Sequence, residues 1–443
     1  MTLPVLKVEI DFANGPNFSY PLILDSSAFG RLDINTLGDA PADLVDISDQ
    51  VMRCSVRRGR NRILANFEAG TATVTLNDPD SDFNPQNTAS PYWNAVTNTS
   101  KVVPLRKIRI YAESEYLGDT VETDLFSGYI NSYDTGFYSG VYTTSTVVLQ
   151  CVDGFRLLNN VSTPQDAGTP PVPVPIPGCT TAQLSGTRVD AILDFAGFPS
   201  SMRTTTVGNS TMQADPGGVR SVLAAIQTVE QSEFGAFFMQ RSGKTLFLDR
   251  DTVALRADAT PRTYTDTGSP GTFPYSNIDF AFDDQNILNR VTVERVGGVA
   301  QTVENQDSID KFFIKSGQRT NLLIQTDQES EDQANTLLAA RKNAELRIES
   351  ISLNMNATIS EANTLVNLSS DIYNLIVAEK QMSGGSSIEQ ELFIQGVQHD
   401  ITPDSWNIKL LTAEPLLQAF ILDSTNQGIL GNTVPQNTNV LSY

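Results

Sequence analysis

Apolar and polar residues alternate with a period of two over residues 6–12, placing Leu6, Val8, Ile10 and Phe12 on one face. The pattern recurs over residues 72–76 after an Ala69-Gly70 turn, then over 108–111, 125–129 and 146–152, with Gly, Asp and Ser in the intervening turns. Short strands at this spacing predict a barrel or sandwich. The stretch Pro164 to Gly178 (PQDAGTPPVPVPIPG) interrupts it. Alternating Pro and β-branched residues favour an extended, polyproline-like segment without ladder hydrogen bonds, read here as a linker or surface-crossing arm.

Beyond the arm the period changes. Val189, Ile192, Leu193 and Ala196 fall at helical spacing behind Thr187 as an expected N-cap, with Gly197 and Pro199 as the stop. Asp215-Pro216 is expected to open a second helix carrying Val219, Val222, Leu223 and Ile226. A hairpin over residues 234–240 and 245–248, turning at Ser242-Gly243, completes a small α+β unit. Alternation returns over 290–296 and 299–303 around Gly297-Gly298. One helix is expected from Gln328 to Leu346, with Glu329, Glu331 and Asp332 near its start and Arg341 and Lys342 towards its end, as the helix dipole favours. Strands near 375–378, 391–398 and 406–411 follow, and residues 423–443, rich in Asn, Gln, Ser and Thr, read as an extended tail.

Two stretches echo each other. Ile110-Tyr111-Ala112-Glu113 leads to Leu125-Phe126-Ser127-Gly128-Tyr129, then Val148-Leu149 and Leu157-Leu158; Val377-Ala378-Glu379 leads to Leu392-Phe393-Ile394-Gln395-Gly396-Val397, then Leu410-Leu411 and Leu416-Leu417. The same 16-residue offset separates Ile110 from Phe126 and Val377 from Phe393. A duplication would place two like β-domains on either side of the α+β unit.

The 443 residues leave room for about three domains of ordinary size. Hydrophobic residues make up 40%, enough for packed cores, while charged residues are only 18%. Acidic residues outnumber basic ones 51 to 30, a net charge of −21 that repels phosphate and argues against gripping nucleic acid or an anionic membrane. No uncharged apolar run reaches the ~18 residues a bilayer span needs, and Met1-Thr-Leu-Pro4 lacks the regions of a signal peptide. Cys54, Cys151 and Cys179 are too few and too widely spaced for a disulfide framework or a thiolate zinc site.

Candidate chemistry is sparse. His399 is the only histidine, which removes any multi-histidine metal centre, and its place in Gly396-Val397-Gln398-His399-Asp400 suits a structural role at a strand end. G-x-S-x-G, G-x-x-x-x-G-K-[ST] and G-x-G-x-x-G are all missing. Asp78, Asp80 and Asp82 resemble the start of a calcium loop, but Phe83 and Ala89 stand where that loop needs Gly and Glu, and Asx-turn chemistry accounts for the segment. Catalytic carboxylate pairs are invisible among so many acids. No catalytic residue, metal ligand or cofactor is therefore assigned, and the expectation is that the protein is not an enzyme. The one basic cluster, Arg53, Arg57, Arg58, Arg60 and Arg62, is either a solvated face or a docking surface for an acidic partner or neighbouring subunit.

The run Ser55-Val56-Arg57-Arg58-Gly59-Arg60, continuing to Phe67-Glu68-Ala69-Gly70-Thr71-Ala72-Thr73-Val74-Thr75-Leu76-Asn77, Phe83-Asn84-Pro85 and Ser90-Pro91-Tyr92, resembles the N-terminal part of minor tail proteins of long-tailed bacteriophages. Asn289-Arg290-Val291-Thr292-Val293 with Gly297-Gly298, and Gly396–Pro403 before Trp406, resemble the second half of the same family, the tail-tip or baseplate hub proteins. The resemblance implies a mainly β fold with an α+β insert: two similar β-barrel hub domains flanking a smaller α+β domain. The expected boundaries are 1–160 for the first barrel, 161–180 for the arm, 181–284 for the α+β domain, 285–422 for the second barrel with one long helix, and 423–443 for the tail. It further implies a homotrimer whose six barrels mate with a sixfold tail tube. Its partners would be the tube, distal tail and other tip or fibre proteins and the tape measure protein. DNA would pass without specific binding, and the location would be the virion, after assembly in the host cytoplasm. Acidic residues would face the channel, the arginine cluster would turn to a protein interface, and arm and tail would lie on neighbouring subunits. The alternatives are the distal tail ring protein of the same virion and a carbohydrate-active β-protein, either hydrolase or binding module.

Overall fold

The computed structural model describes residues 3–13, 15, 43–60, 66–137, 145–166, 172–256, 261–357, 360–415, 418–419 and 439–440. Period-two alternation builds its main feature, a sheet of fourteen strands. In chain order these are β1 (Val5–Asp11), β2 (Leu44–Asp46), β3 (Val51–Gly59), β4 (Glu68–Asn77), β5 (Lys107–Tyr116), β6 (Asp119–Phe137), β7 (Ser145–Val152), β8 (Arg262–Thr265), β9 (Phe273–Pro274), β10 (Asn277–Ala281), β11 (Arg347–Asn354), β12 (Leu375–Gln381), β13 (Ser387–Thr402) and β14 (Ser405–Ala413). Their order is β9-β8-β12-β13-β3-β4-β7-β6-β5-β1-β2, and β14, β11 and β10 branch in turn from β13. One core runs beneath both halves, from Val8, Ile10, Val74 and Leu149 to Ile351, Val397, Trp406 and Leu410.

The sheet is internally repetitive. β3-β4-β7-β6-β5 and β10-β11-β14-β13-β12 are successive antiparallel ladders of the same order, each drawn from five strands in the same chain sequence. Fine detail repeats as well. The β6–β7 register shifts between Ile130 and Ser132, and the β13–β14 register between Ile394 and Gly396. The Ile130 N–H donates to the Arg106 carbonyl at 2.8 Å and its carbonyl accepts from Leu105 N at 2.6 Å; Ile394 does the same with Asn374 at 3.1 Å and Tyr373 at 2.7 Å. Leu105 and Tyr373 both adopt positive φ, 67° and 62°, a conformation costly for a side chain with a Cβ. The echo in the sequence thus falls on equivalent strands, but its residue alignment is corrected: Ile110 matches Ala378, not Val377. The cause is hairpin length: Ile110 pairs with Phe126, 16 positions on, through a ladder that runs to Tyr116–Asp119 and holds one bulge, whereas Ala378 pairs with Gln390, only 12 positions on.

The two closed barrels that the resemblance implied are not formed among the described residues. β13 outruns β12, and its residues 396–401 pair with β3 of the other half, so both halves share one open sheet.

The α+β unit comprises α1 (Phe155–Asn160), α2 (Ser185–Phe195), α3 (Val222–Glu233) and an Ala236–Met239/Thr245–Leu248 hairpin around Val189, Leu193, Ile226, Phe237 and Phe247. The helix expected at Asp215-Pro216 instead begins at Val222, because Ser221 Oγ caps it by accepting from Ala224 N at 3.1 Å. Asp215 is buried, accepting from Ile176 N at 2.8 Å and pairing with Arg220. α2 likewise starts at Ser185, ahead of Thr187. The Pro-rich segment is therefore anchored on its own chain through Ile176, while residues 167–171 lie outside the described residues.

α4 (Arg250–Leu255) leads back to the sheet. Between β10 and β11, the Arg290–Arg295/Gln301–Glu304 hairpin, α5 (Gln306–Phe312), the strand Ser316–Leu322 and α6 (Asp327–Arg341) form a separate three-stranded sheet and core around Val293, Leu322 and Leu337. A capping box of Thr326 and Glu329 starts α6. α7 (Glu361–Ser369) packs on β5. Of the tail, only Asn439–Val440 is described, paired with Gln418–Ala419.

Candidate assembly junction

Arg53, Arg57 and Arg58 lie on β3 and Arg60 follows its last residue, where among the described residues the two halves share backbone hydrogen bonds. Alternation sends Cys54, Val56 and Arg58 inward and leaves Arg53 exposed. Gly59 and Gly396 face each other across this joint. Gly59 has φ +101°, and a Cβ there would lie 2.3 Å from the Gln395 carbonyl oxygen and 2.5 Å from the Gly396 Cα. Only glycine admits so close an approach of two backbones.

Four arginines of the cluster are described, and each has a partner within the chain. Arg53 forks onto the Asp400 carboxylate, with Nη2 at 2.9 and 3.0 Å from its two oxygens. Arg57 reaches Glu68 at 3.3 Å across the β3–β4 ladder. Arg58 is buried and donates to Asp371 Oδ1 at 2.7 Å, with Arg241 3.7 Å from the other carboxylate oxygen. Burial alone would raise the Asp371 carboxyl, but the charges of Arg58 and Arg241, helped by the Ile372 N–H, hold it below the usual range. Arg60 is also buried: Nε donates to Gln395 at 2.8 Å, Nη2 to the Tyr373 hydroxyl at 2.8 Å, and its guanidinium lies 4.4 Å from the Phe67 ring centroid. Arg62 lies outside the described residues. Arg58 and Arg60 thus fasten the two halves to each other from within. Sequence reasoning missed Asp371, Tyr373 and Gln395, which lie more than 300 residues away with no local motif.

The other candidates have structural surroundings. His399 is buried, and its Nδ1 accepts from Trp406 Nε1 at 3.3 Å; burial and the Arg58 charge push its pKa down to about 3, so the ring is neutral. The Asp78 carboxylate accepts from Asp82 N at 2.7 Å and Phe83 N at 3.2 Å, an Asx-type cap on the turn. Among the described residues no cluster of three or more His, Cys, Asp or Glu is placed to hold a metal ion, and no helix is long and apolar enough to cross a membrane. A cleft of about 340 Å³ beside β11 and β14 is lined by Asp279, Arg347, Glu349 and Lys409. Its charges pair with one another, Arg347 with Glu349 at 3.1 Å and Lys409 with Asp279 at 3.3 Å.

Solved structures of like fold include tail proteins. A tail protein from Neisseria meningitidis MC58 superposes with a TM-score of 0.51 at 11% identity, covering 93% of this chain and 97% of its own. The 43 kDa tail protein of prophage MuSo2 from Shewanella oneidensis gives 0.52 at 11% identity, covering 85% and 97%. No protein-family model matches the chain, and no curated protein matches it in sequence. The chain therefore has the fold of prophage tail proteins, in line with the resemblance read from its motifs.

Proposed function

We propose that this protein is the structural, non-enzymatic hub of a bacteriophage tail tip or baseplate. It would join the tail tube to distal tip proteins and surround the DNA exit channel as a homotrimer in the virion. The observation that carries this reading is the duplicated strand order within a tail-protein fold: a chain with two like units offers a sixfold tube six similar contacts from only three copies. In this reading 1–160 supply the first unit, and 285–422 together with β10 supply the second, which holds the small α6 sheet as an insertion; the rest of 181–284 is the domain between them. The net charge of −21 supports an acidic channel wall that gives phosphates nothing to grip. Native mass measurement of the purified chain, with immunolabelling of tailed particles, tests the proposal. Three copies at the distal tail end are expected; six copies, or label along the tube, would overturn it.

A further inference from the structure

We infer that residues 132–137 of β6 pair, along their outer edge, with the outer edge of β10 in a second copy of this chain. The inference rests on the hub reading and names the contact that reading requires. Its ground is the one junction already made inside the chain. β13, after its bulge, leaves β12 and pairs with β3, the first strand of the other unit, with Asp400 opposite Ser55 and Ile401 opposite Cys54. By the repeat, β6 corresponds to β13 and β10 to β3. Thus β6 also outruns β5, whose ladder ends at Tyr129, and continues for several residues paired only with β7. β10 pairs only with β11. Among the described residues, the complementary edges of the second junction both lack a strand partner.

These edges are only lightly guarded: each carries a single Asp, Asp134 and Asp279, and β10 is five residues long with one register shift at Asp279. Neither 132–137 nor β10 contains Pro or Lys, residues that ordinarily blunt an open edge. Phe282, which follows β10, is 70% exposed, a large apolar side chain beside the open strand. Mapping the internal junction through the ladders sets the register: Ile278 takes the place of Cys54 and Asp279 that of Ser55, so Phe137 falls opposite Ile278 and Gly136 opposite Asp279. One chain cannot satisfy its own second junction while the first holds its units side by side. The contact is head-to-tail, and repeating it alternates internal and intermolecular joints until the ring closes.

The test uses the full-length chain carrying Gly136→Cys and Asp279→Cys together, oxidised after assembly. We expect reducible covalent species running up to the mass of the closed ring, while either single variant stays one chain on the gel. Because Asp279 holds Ser350 at 2.6 Å and Lys409 at 3.3 Å, the unmodified protein provides a second readout. On assembly, amide exchange should slow at least tenfold at 132–137 and 277–281. A ring of normal mass, without cross-links and without new protection at these strands, would overturn the edge pairing and leave the hub reading intact. A wild-type chain that stays monomeric even with tail tube present would overturn both.

Discussion

Arg58 and Asp371, 313 residues apart, form a 2.7 Å ion pair beneath the strand that joins the two halves of the sheet. A guanidinium this deeply buried is tolerable only while its carboxylate partner is in place, since an unpaired buried charge costs far more than a surface pair gains.

Asp371→Ala should therefore destabilise the protein by about 3 kcal/mol or more, read as a lower urea midpoint. The double variant Arg58→Met, Asp371→Leu should recover much of that loss, because replacing both charges leaves none orphaned. Equal losses in the single and double variants would show that shape, not charge, dominates.

Gly59→Ala should cost clearly more than Gly118→Ala. Both glycines have positive φ, +101° and +89°, but nothing lies within 4 Å of a Cβ at Gly118, whereas one at Gly59 meets the Gln395 carbonyl. The Gly118 change should cost about 1 kcal/mol from conformational strain alone. The excess at Gly59 measures how tightly β3 and β13 approach, and comparable midpoints would contradict the close contact.

His399 should not titrate between pH 5 and 8, and as the only histidine it offers a single imidazole resonance to follow. Its folded pKa, about 3, lies below the unfolded value near 6.5, so the unfolded chain binds the extra proton between those limits. Stability from this group is complete above pH 6.5 and is lost as the pH falls towards 3, by up to ~1.4 kcal/mol per unit. His399→Gln should flatten that part of the acid-stability curve. A resonance moving with a midpoint near 6.5 would refute the burial argument.

The ring proposed for this chain should not retain short duplex DNA even at low salt. The chain carries 51 acidic against 30 basic residues, and among the cluster's described arginines Arg58 and Arg60 are buried within the chain. Retention with a steep inverse salt dependence would reveal a basic lining and overturn the acidic channel.

Much of this architecture was legible because alternation is a local signal. β1, β4, β7 and β14 were evident from side chains that turn inward every second residue, and α6 from its acidic start, where Thr326 and Glu329 complete the cap. β3 was hidden because arginines fill positions in its alternation, so a strand read as a charge cluster. The helix start at Asp215 was misplaced because that side chain caps nothing and is drawn into the core by Ile176 and Arg220. The strands of the repeat were legible and its register was not, since a longer, bulged hairpin changes residue count without changing composition. The junction itself could not be read at all: Arg60 and Gln395 are 335 positions apart, and neither announces the other.

That separation sets a clock on biogenesis. Contacts so distant in sequence form late, and at synthesis rates of about 5–20 residues per second β3 waits roughly 20 s to a minute for the strand that covers it. During that interval the nascent chain offers an unprotected β edge to its crowded surroundings. Slowing translation between β3 and β13 should therefore lower the yield of soluble protein without altering the stability of the chains that finish.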